Sequence, residues 1–208
     1  MTLKEQAYNR LRQFILSGKI RPGEHLTELS LVEMLEMSRT PIRSAMERLA
    51  SEGLVTYSPN RGLSVAEMTF DRVIDFFDYR MAIEGYAVRK LADRVWSEEE
   101  KEWFRINLSM QKRCVDAHDS AMFTQADSDF HRKLIYNYDN QEMIQTMDKL
   151  QDQLYLTALK VLRKDQSRIH QSYEDHKRIF ELLVDGNAEE AGRLMLAHLE
   201  YGKRILVM

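Results

Sequence analysis

Apolar positions recur at helical spacing along most of the chain, and the few interruptions mark its organisation. Ala7, Leu11, Phe14 and Ile15 predict a first helix that ends at Ser17-Gly18. Arg21-Pro22-Gly23-Glu24 reads as a turn, and Leu26-Thr27-Glu28 leads into a short helix around 30–35 with Thr27 as its cap. Two or three residues later a further helix starts near Ser38. It carries Ile42, Ala45, Met46 and Leu49 on one apolar stripe and closes at Gly53. The period then changes. Leu54–Tyr57 and Leu63–Val65, joined by Ser58-Pro59-Asn60-Arg61-Gly62, predict a β-hairpin. Helix, tight turn, second helix and hairpin is the layout of a winged helix-turn-helix.

From Thr69 onward there is no strand signal, only helical segments. The first runs from Thr69 to about Arg94 and carries Val73, Phe76, Phe77, Arg80, Ile83 and Glu84. The second starts at Ser97-Glu98-Glu99-Glu100, whose acidic first turn suits the helix dipole. Others span about Ser120–Asn137, Asn140–Arg163 and Gln166–Asp185, and a last one runs from Ala188 to the C-terminus. The chain has three prolines, all by residue 59, so nothing later interrupts a helix. The expected fold is mostly α: a winged helix-turn-helix over 1–68, then an all-α antiparallel helical bundle over 69–208.

Composition narrows the classes. The chain has 208 residues, 44% of them hydrophobic, enough for two small domains with their own cores. Its formal charge is −3, yet Lys and Arg outnumber Asp and Glu by two up to Val65, which fits a weakly basic reader on an acidic body. The single cysteine, Cys114, excludes an intrachain disulfide and a cysteine metal cluster. The N-terminus Met1-Thr2-Leu3-Lys4-Glu5-Gln6 has no apolar core, and no apolar run approaches about 18 residues, so a cytoplasmic protein without membrane contact is expected. Methionines on stripes, such as Met46, Met143 and Met195, read as core filler.

Two constellations carry candidate chemistry. Ser38-Arg39-Thr40-Pro41-Ile42-Arg43 is a helix start in which Ser38 or Thr40 can cap and Pro41 fits the first helical position. Arg39 and Arg43, four apart, project from one side near a positive helix end, a surface suited to phosphate and guanine edges. The hexapeptide alone fits a solvated first turn equally well; the preceding helix and following hairpin favour the DNA reader. In the second half, Asp127 and His131 stand four apart on one helical face, a chelating spacing. His176 lies among Tyr173, Ile179 and Phe180, and His198 among Leu194, Met195 and Leu199. Three histidines from separate helices plus a carboxylate favour a metal site over three separately hydrogen-bonded core histidines. Imidazole ligands suit Zn²⁺, Ni²⁺, Mn²⁺ or Fe²⁺ rather than Mg²⁺. His25, His118 and His170 lie at turns or helix ends and read as solvated.

Residues 4–67 resemble the winged helix-turn-helix of the GntR family of bacterial transcription regulators. The resemblance rests on Leu11-Arg12, Ile15, Gly18, Pro22-Gly23, Leu26, the whole Ser38–Arg43 segment, Ala45, Arg48-Leu49, Glu52-Gly53-Leu54 and Gly62. It implies that Ser38, Arg39, Thr40 and Arg43 contact double-stranded operator DNA, with Arg61 and Gly62 at the minor groove. Some relatives carry an arginine where this chain has Leu29, so no contact is carried over there. Residues 70–207 resemble the FCD ligand-binding domain of one GntR subfamily. The matching motifs are Arg80 with Glu84, Asp127-x-x-Phe130-His131, Asn140, Ser172 with Asp175-His176, Gly186-Asn187 into Ala188 and Ala191, and Met195 with His198-Leu199. Asp175 and Asn187 replace the family's usual glutamate and aspartate, and neither is a ligand position. This resemblance implies a metal held by Asp127, His131, His176 and His198, with a small organic acid completing the coordination. Arg80 is either the partner of the acid's carboxylate or an internal partner of Glu84, four residues on. Together these features lead to a metal-dependent, acid-responsive repressor that binds a palindromic operator as a homodimer. The rival is a helical-bundle metalloenzyme of hydrolase type, which lacks a separate acid or base and leaves the first domain unexplained. The chain is therefore expected not to be an enzyme.

Overall fold

The structure is a computed structural model that describes residues 1–58 and 62–208. It divides into two compact units, Met1–Met68 and Thr69–Met208. The first contains α1 (Leu3–Leu16), β1 (His25–Leu26), α2 (Glu28–Leu35), α3 (Arg39–Ser51), β2 (Val55–Ser58) and β3 (Gly62–Val65). A capping box opens α1, with Thr2 and Glu5 exchanging side-chain and backbone hydrogen bonds. Thr27 caps α2 through the Ser30 N–H, as expected, although the helix begins two residues earlier than the apolar pattern indicated. Leu11, Ile15, Leu31, Leu35, Ile42, Met46 and Leu49 are buried together, so the three helices close on one small core.

Three further details differ from the sequence reading. The helix α3 begins at Arg39, so Pro41 occupies the third helical position rather than the first. Its missing N–H is still among the four a helix start leaves unpaired, which is why proline fits. Ser38 is the backbone cap, but its side chain makes no cap hydrogen bond. The hairpin is also part of a three-stranded antiparallel sheet in the order β1-β3-β2, where His25 pairs with Ser64 and Leu26 with Leu63. A two-residue strand is too short to show a period of two, so β1 left no pattern to read.

The second unit is a helical bundle: α4 (Phe70–Ala92), α5 (Glu98–Ala117), α6 (Ser120–Tyr138), α7 (Gln141–Lys164), α8 (Arg168–Val184) and α9 (Ala188–Val207). Five of these six helices start at a side-chain cap, and α8 starts after Ser167 without one. Thr69, Ser97, Asp119, Asn140 and Asn187 accept from N–H groups of the following first turns. Pairs α4–α9, α6–α7, α5–α6 and α8–α9 pack along their lengths. An aromatic cluster fills the middle: Phe104 stacks on Phe180 at 5.1 Å and meets Trp96 and Phe130 edge-on.

Candidate functional site

In the first unit, Ser38, Arg39, Thr40 and Arg43 are all exposed at the start of α3, whose opposite face is the buried Ile42–Leu49 stripe. Arg43 is not loose. Its Nε lies 3.0 and 2.9 Å from the two oxygens of Glu28 on α2, its Nη2 lies 2.9 Å from the same carboxylate, and Tyr57 Oη donates to Glu28 Oε1 at 3.2 Å. The Arg43 hydrogen bond holds the Glu28 carboxyl below its ordinary range. Gly62 has φ +89°, and a Cβ there would lie 2.3 Å from the Leu26 carbonyl oxygen. Pairing with β1 thus requires glycine at this position independently of any ligand. Arg61 lies outside the described residues.

The second unit brings together four residues far apart in sequence. One candidate ligand atom each from Asp127 and His131 on α6, His176 on α8 and His198 on α9 lie within 4.8 Å of one another, and all four residues are buried. The i, i+4 spacing on α6 places its two on one face; α8 and α9 each contribute one. Phe130 stacks on His176 with ring centroids 4.3 Å apart and 16° between planes, which fixes that ring's tilt.

Beyond the four, each imidazole is held from behind. His131 Nδ1 lies 2.5 Å from Glu84 Oε2, His176 Nδ1 2.8 Å from Gln111 Oε1, and His198 Nδ1 3.0 Å from Asp175 Oδ2. Gln111 is itself oriented, donating to Asn107 Oδ1 at 2.7 Å, and Asn107 donates to the Ala126 carbonyl at 3.0 Å. For His131 and His176 the acceptor at Nδ1 places the ring proton there and leaves Nε2 as a lone pair, the arrangement found behind metal-ligating histidines. The donor set of three imidazoles and one carboxylate fits a divalent transition metal.

Electrostatics follow from burial. Burial drives His176 well below its ordinary value, with His198 and His131 adding to the effect. Burial also takes His198 down to about 3, against the pull of Asp175. Both rings are neutral near pH 7, as ligands must be. Burial pushes the Asp127 carboxyl up, and a cation bound there would favour its charged form. Glu84 behaves oppositely: burial would raise it, but Arg80 and then His131 outweigh burial and hold it at about 2.

Arg80 is the internal partner of Glu84 and keeps one further nitrogen unpaired. Its Nε donates to Glu84 Oε1 at 2.7 Å, while its Nη2 is buried and has no hydrogen-bond partner among the described residues. The same side chain lines a narrow pocket of about 30 Å³ with Asp127, His131, Arg168, Ser172 and His198. Gln111, Arg168 and the contact of Asp175 with His198 escaped the sequence reading. Position 175 is outside the group of four, yet it touches His198, a candidate ligand. Arg168, Ser172 and His176 are spaced by four on α8, and Gln111 interrupts the apolar face of Phe104, Leu108 and Val115. Both were signals of buried polar groups.

Comparison with known proteins agrees with these two halves. Residues 75–201 match the FCD domain model, and residues 3–65 match that of bacterial regulatory proteins of the gntR family. The chain is 28% identical over 185 residues to the Nta operon transcriptional regulator of Aminobacter aminovorans, covering 89% of this chain and 85% of that protein. It is 26% identical over 201 residues to the HTH-type transcriptional repressor RspR of Escherichia coli, covering 95% and 86%. A transcriptional regulator GntR from Rhodococcus has the same fold, with a TM-score of 0.81 at 24% identity over 98% of this chain and 97% of that one. These relatives are transcriptional regulators rather than enzymes. No helix among the described residues is long and apolar enough to cross a membrane. The chain is a DNA-binding transcriptional regulator of the GntR family, with an FCD domain as its second half.

Proposed function

We propose that this regulator is a cytoplasmic, metal-dependent sensor of a small organic acid, acting as a repressor that the acid releases from DNA. Asp127, His131, His176 and His198 would hold a divalent transition metal, with zinc, nickel, manganese or iron all suited to the donors. That ion would supply a positive charge and an open position for a carboxylate oxygen. The observation that carries the reading is the convergence of four ligand atoms within 4.8 Å, with all three Nδ1 atoms backed by outer acceptors. The unpartnered Nη2 of Arg80, in the same pocket, supports an anionic ligand. In the first unit, Ser38, Arg39, Thr40 and Arg43, with Arg61 and Gly62 of the wing, would read one half-site over residues 1–68. A homodimer formed through the second unit, 69–208, would read a palindrome. Switching requires that acid and metal bind the DNA-competent and DNA-incompetent states unequally.

Elemental analysis of the purified protein and gel shifts on its own promoter, at two salt concentrations and with or without chelator, test this together. The expected result is near-stoichiometric metal, lost in His176→Ala, and sequence-selective binding that chelation alters. Unchanged metal content and thermal stability in His176→Ala would overturn the metal assignment.

A further inference from the structure

Arg168 opens α8 and is almost wholly buried, yet it lines two pockets beside His198. The inner one is the pocket of Asp127, His131 and Arg80; the outer, wider one includes Gln171, Asp175 and Tyr201. Its guanidinium lies over the Tyr201 ring, 4.5 Å from the centroid. A single nitrogen, Nη2, stands within reach of three atoms: His198 Nδ1 at 2.9 Å, the His198 carbonyl at 3.1 Å and Asp175 Oδ2 at 3.1 Å. Nη2 carries two hydrogens, so it cannot serve all three.

His198 Nδ1 therefore has two rival neighbours of opposite kind. A guanidinium can only donate and an ionised carboxylate can only accept. His131 and His176 face no such choice, because each has one oxygen acceptor behind it. If His198 Nδ1 accepts from Arg168, the ring proton sits on Nε2 and points at His176 Nε2, 3.3 Å away, which can accept it. If Nδ1 instead donates to Asp175, two lone pairs face each other across that 3.3 Å, a repulsion that a cation relieves. The metal-free and metal-ready rings thus differ only in the position of one proton.

We infer that Arg168 is a positioning residue that holds His198 in its Nε2–H form when no metal is bound. A small carboxylate in the inner pocket draws the guanidinium away and hands the ring to Asp175. No proton is gained or lost; it moves from Nε2 to Nδ1 of one imidazole. Acid and metal then tighten each other's binding, reciprocally. The coupling rests on the metal-and-acid reading above, whereas the tautomer assignment concerns the metal-free protein alone.

Long-range ¹⁵N–¹H correlation spectra of the chelator-treated full chain, labelled at histidine and assigned by comparison with His198→Asn, test the first half. The wild type should show His198 as Nε2–H, and Arg168→Met should show Nδ1–H. An Nδ1–H signal in the metal-free wild type overturns the inference, and a general charge effect of Arg168 would not move this readout. Zinc affinity, measured by competition with a chromophoric chelator and with acetate as the probe acid, tests the second half. Arg168→Met should bind zinc about tenfold tighter than wild type without acetate, the scale of other contacts behind a ligand, and gain nothing when acetate is added. Equal zinc affinity of the wild type with and without acetate overturns the coupling. Absence of zinc binding in the wild type sinks the metal reading and the coupling with it. An Nδ1–H ring alongside tight zinc binding sinks only the Arg168 inference.

Discussion

Replacing Glu84 by glutamine removes one charge from the interior of the bundle and changes its volume hardly at all. Glu84 is fully buried, with one oxygen 2.7 Å from Arg80 Nε and the other 2.5 Å from His131 Nδ1. A glutamine oxygen can still accept from one of them, but its amide then presents donors to the other. The Arg80 charge is left without its buried counter-ion. Deleting one partner of a buried pair costs about 3–5 kcal/mol, and two charge-assisted hydrogen bonds at about 1.5–3 kcal/mol each give the same scale. For a unit of this size about 1 kcal/mol moves Tm by roughly 2–4 °C, so a loss of about 6–20 °C is expected for the chelator-treated protein. His131 would also lose the acceptor that fixes its ring, lowering metal affinity by about 10–100-fold. Circular dichroism melts with chelator, and a zinc competition assay, read the two effects separately. The double change Arg80→Met with Glu84→Met should recover most of the stability, since apolar replacement of a whole buried pair is often neutral. A loss below about 1 kcal/mol in Glu84→Gln, outside the range for such pairs, would refute the reasoning.

Arg43→Ala should weaken specific operator binding by about 1–3 kcal/mol if it contacts a base, or weaken all DNA similarly if it contacts phosphate. Glu28→Ala should slow association less than it speeds dissociation, because Arg43 loses its hold rather than its charge; fluorescence anisotropy kinetics read both. Gly62→Ala should destabilise the first unit by about 1–3 kcal/mol, the usual cost of a forced backbone conformation, because its Cβ would meet the Leu26 carbonyl. An unchanged urea midpoint contradicts that. In acid, His176 and His198 bind fewer protons folded than unfolded, since burial lowers both, the latter to about 3. Stability of the chelated protein should therefore be full above about pH 6.5 and fall as pH drops through the window toward 3. Glu84, held at about 2, adds a loss of the same sign below its ordinary value of 4.5. A urea midpoint flat between those limits would show that the rings are not buried neutral.

Helices and their ends were legible because period and cap are local properties. Thr27, Thr69, Ser97, Asn140 and Asn187 all cap where their hydroxyls and carbonyls precede an apolar repeat. The four clustered residues were legible from one i, i+4 pair and two histidines set among apolar neighbours. What stayed hidden depends on contacts between distant elements. Gln111 reaches His176 across 65 positions and Glu84 reaches His131 across 47, and no spacing rule links such pairs. Arg43 with Glu28 joins two helices through a turn whose geometry fixes their distance. For Gly62, a family pattern pointed to DNA, whereas the Leu26 backbone supplies a packing reason for the same residue.

The stack of Phe130 on His176 ties the candidate metal centre to the aromatic cluster of Phe104, Phe180 and Trp96. Fraying at the helix ends leaves such a centre shut, because opening it means separating rings at the middle of the bundle. The amides of Phe130, His131 and His176 should then exchange hydrogen with solvent only as fast as the whole unit unfolds. A ligand held there would exchange on the timescale of global opening unless it arrives through the pocket beside Arg80. With that pocket shut, a cation proposed to sit there would outlast many cycles of DNA association, and its residence time would be set by the folding stability of the bundle.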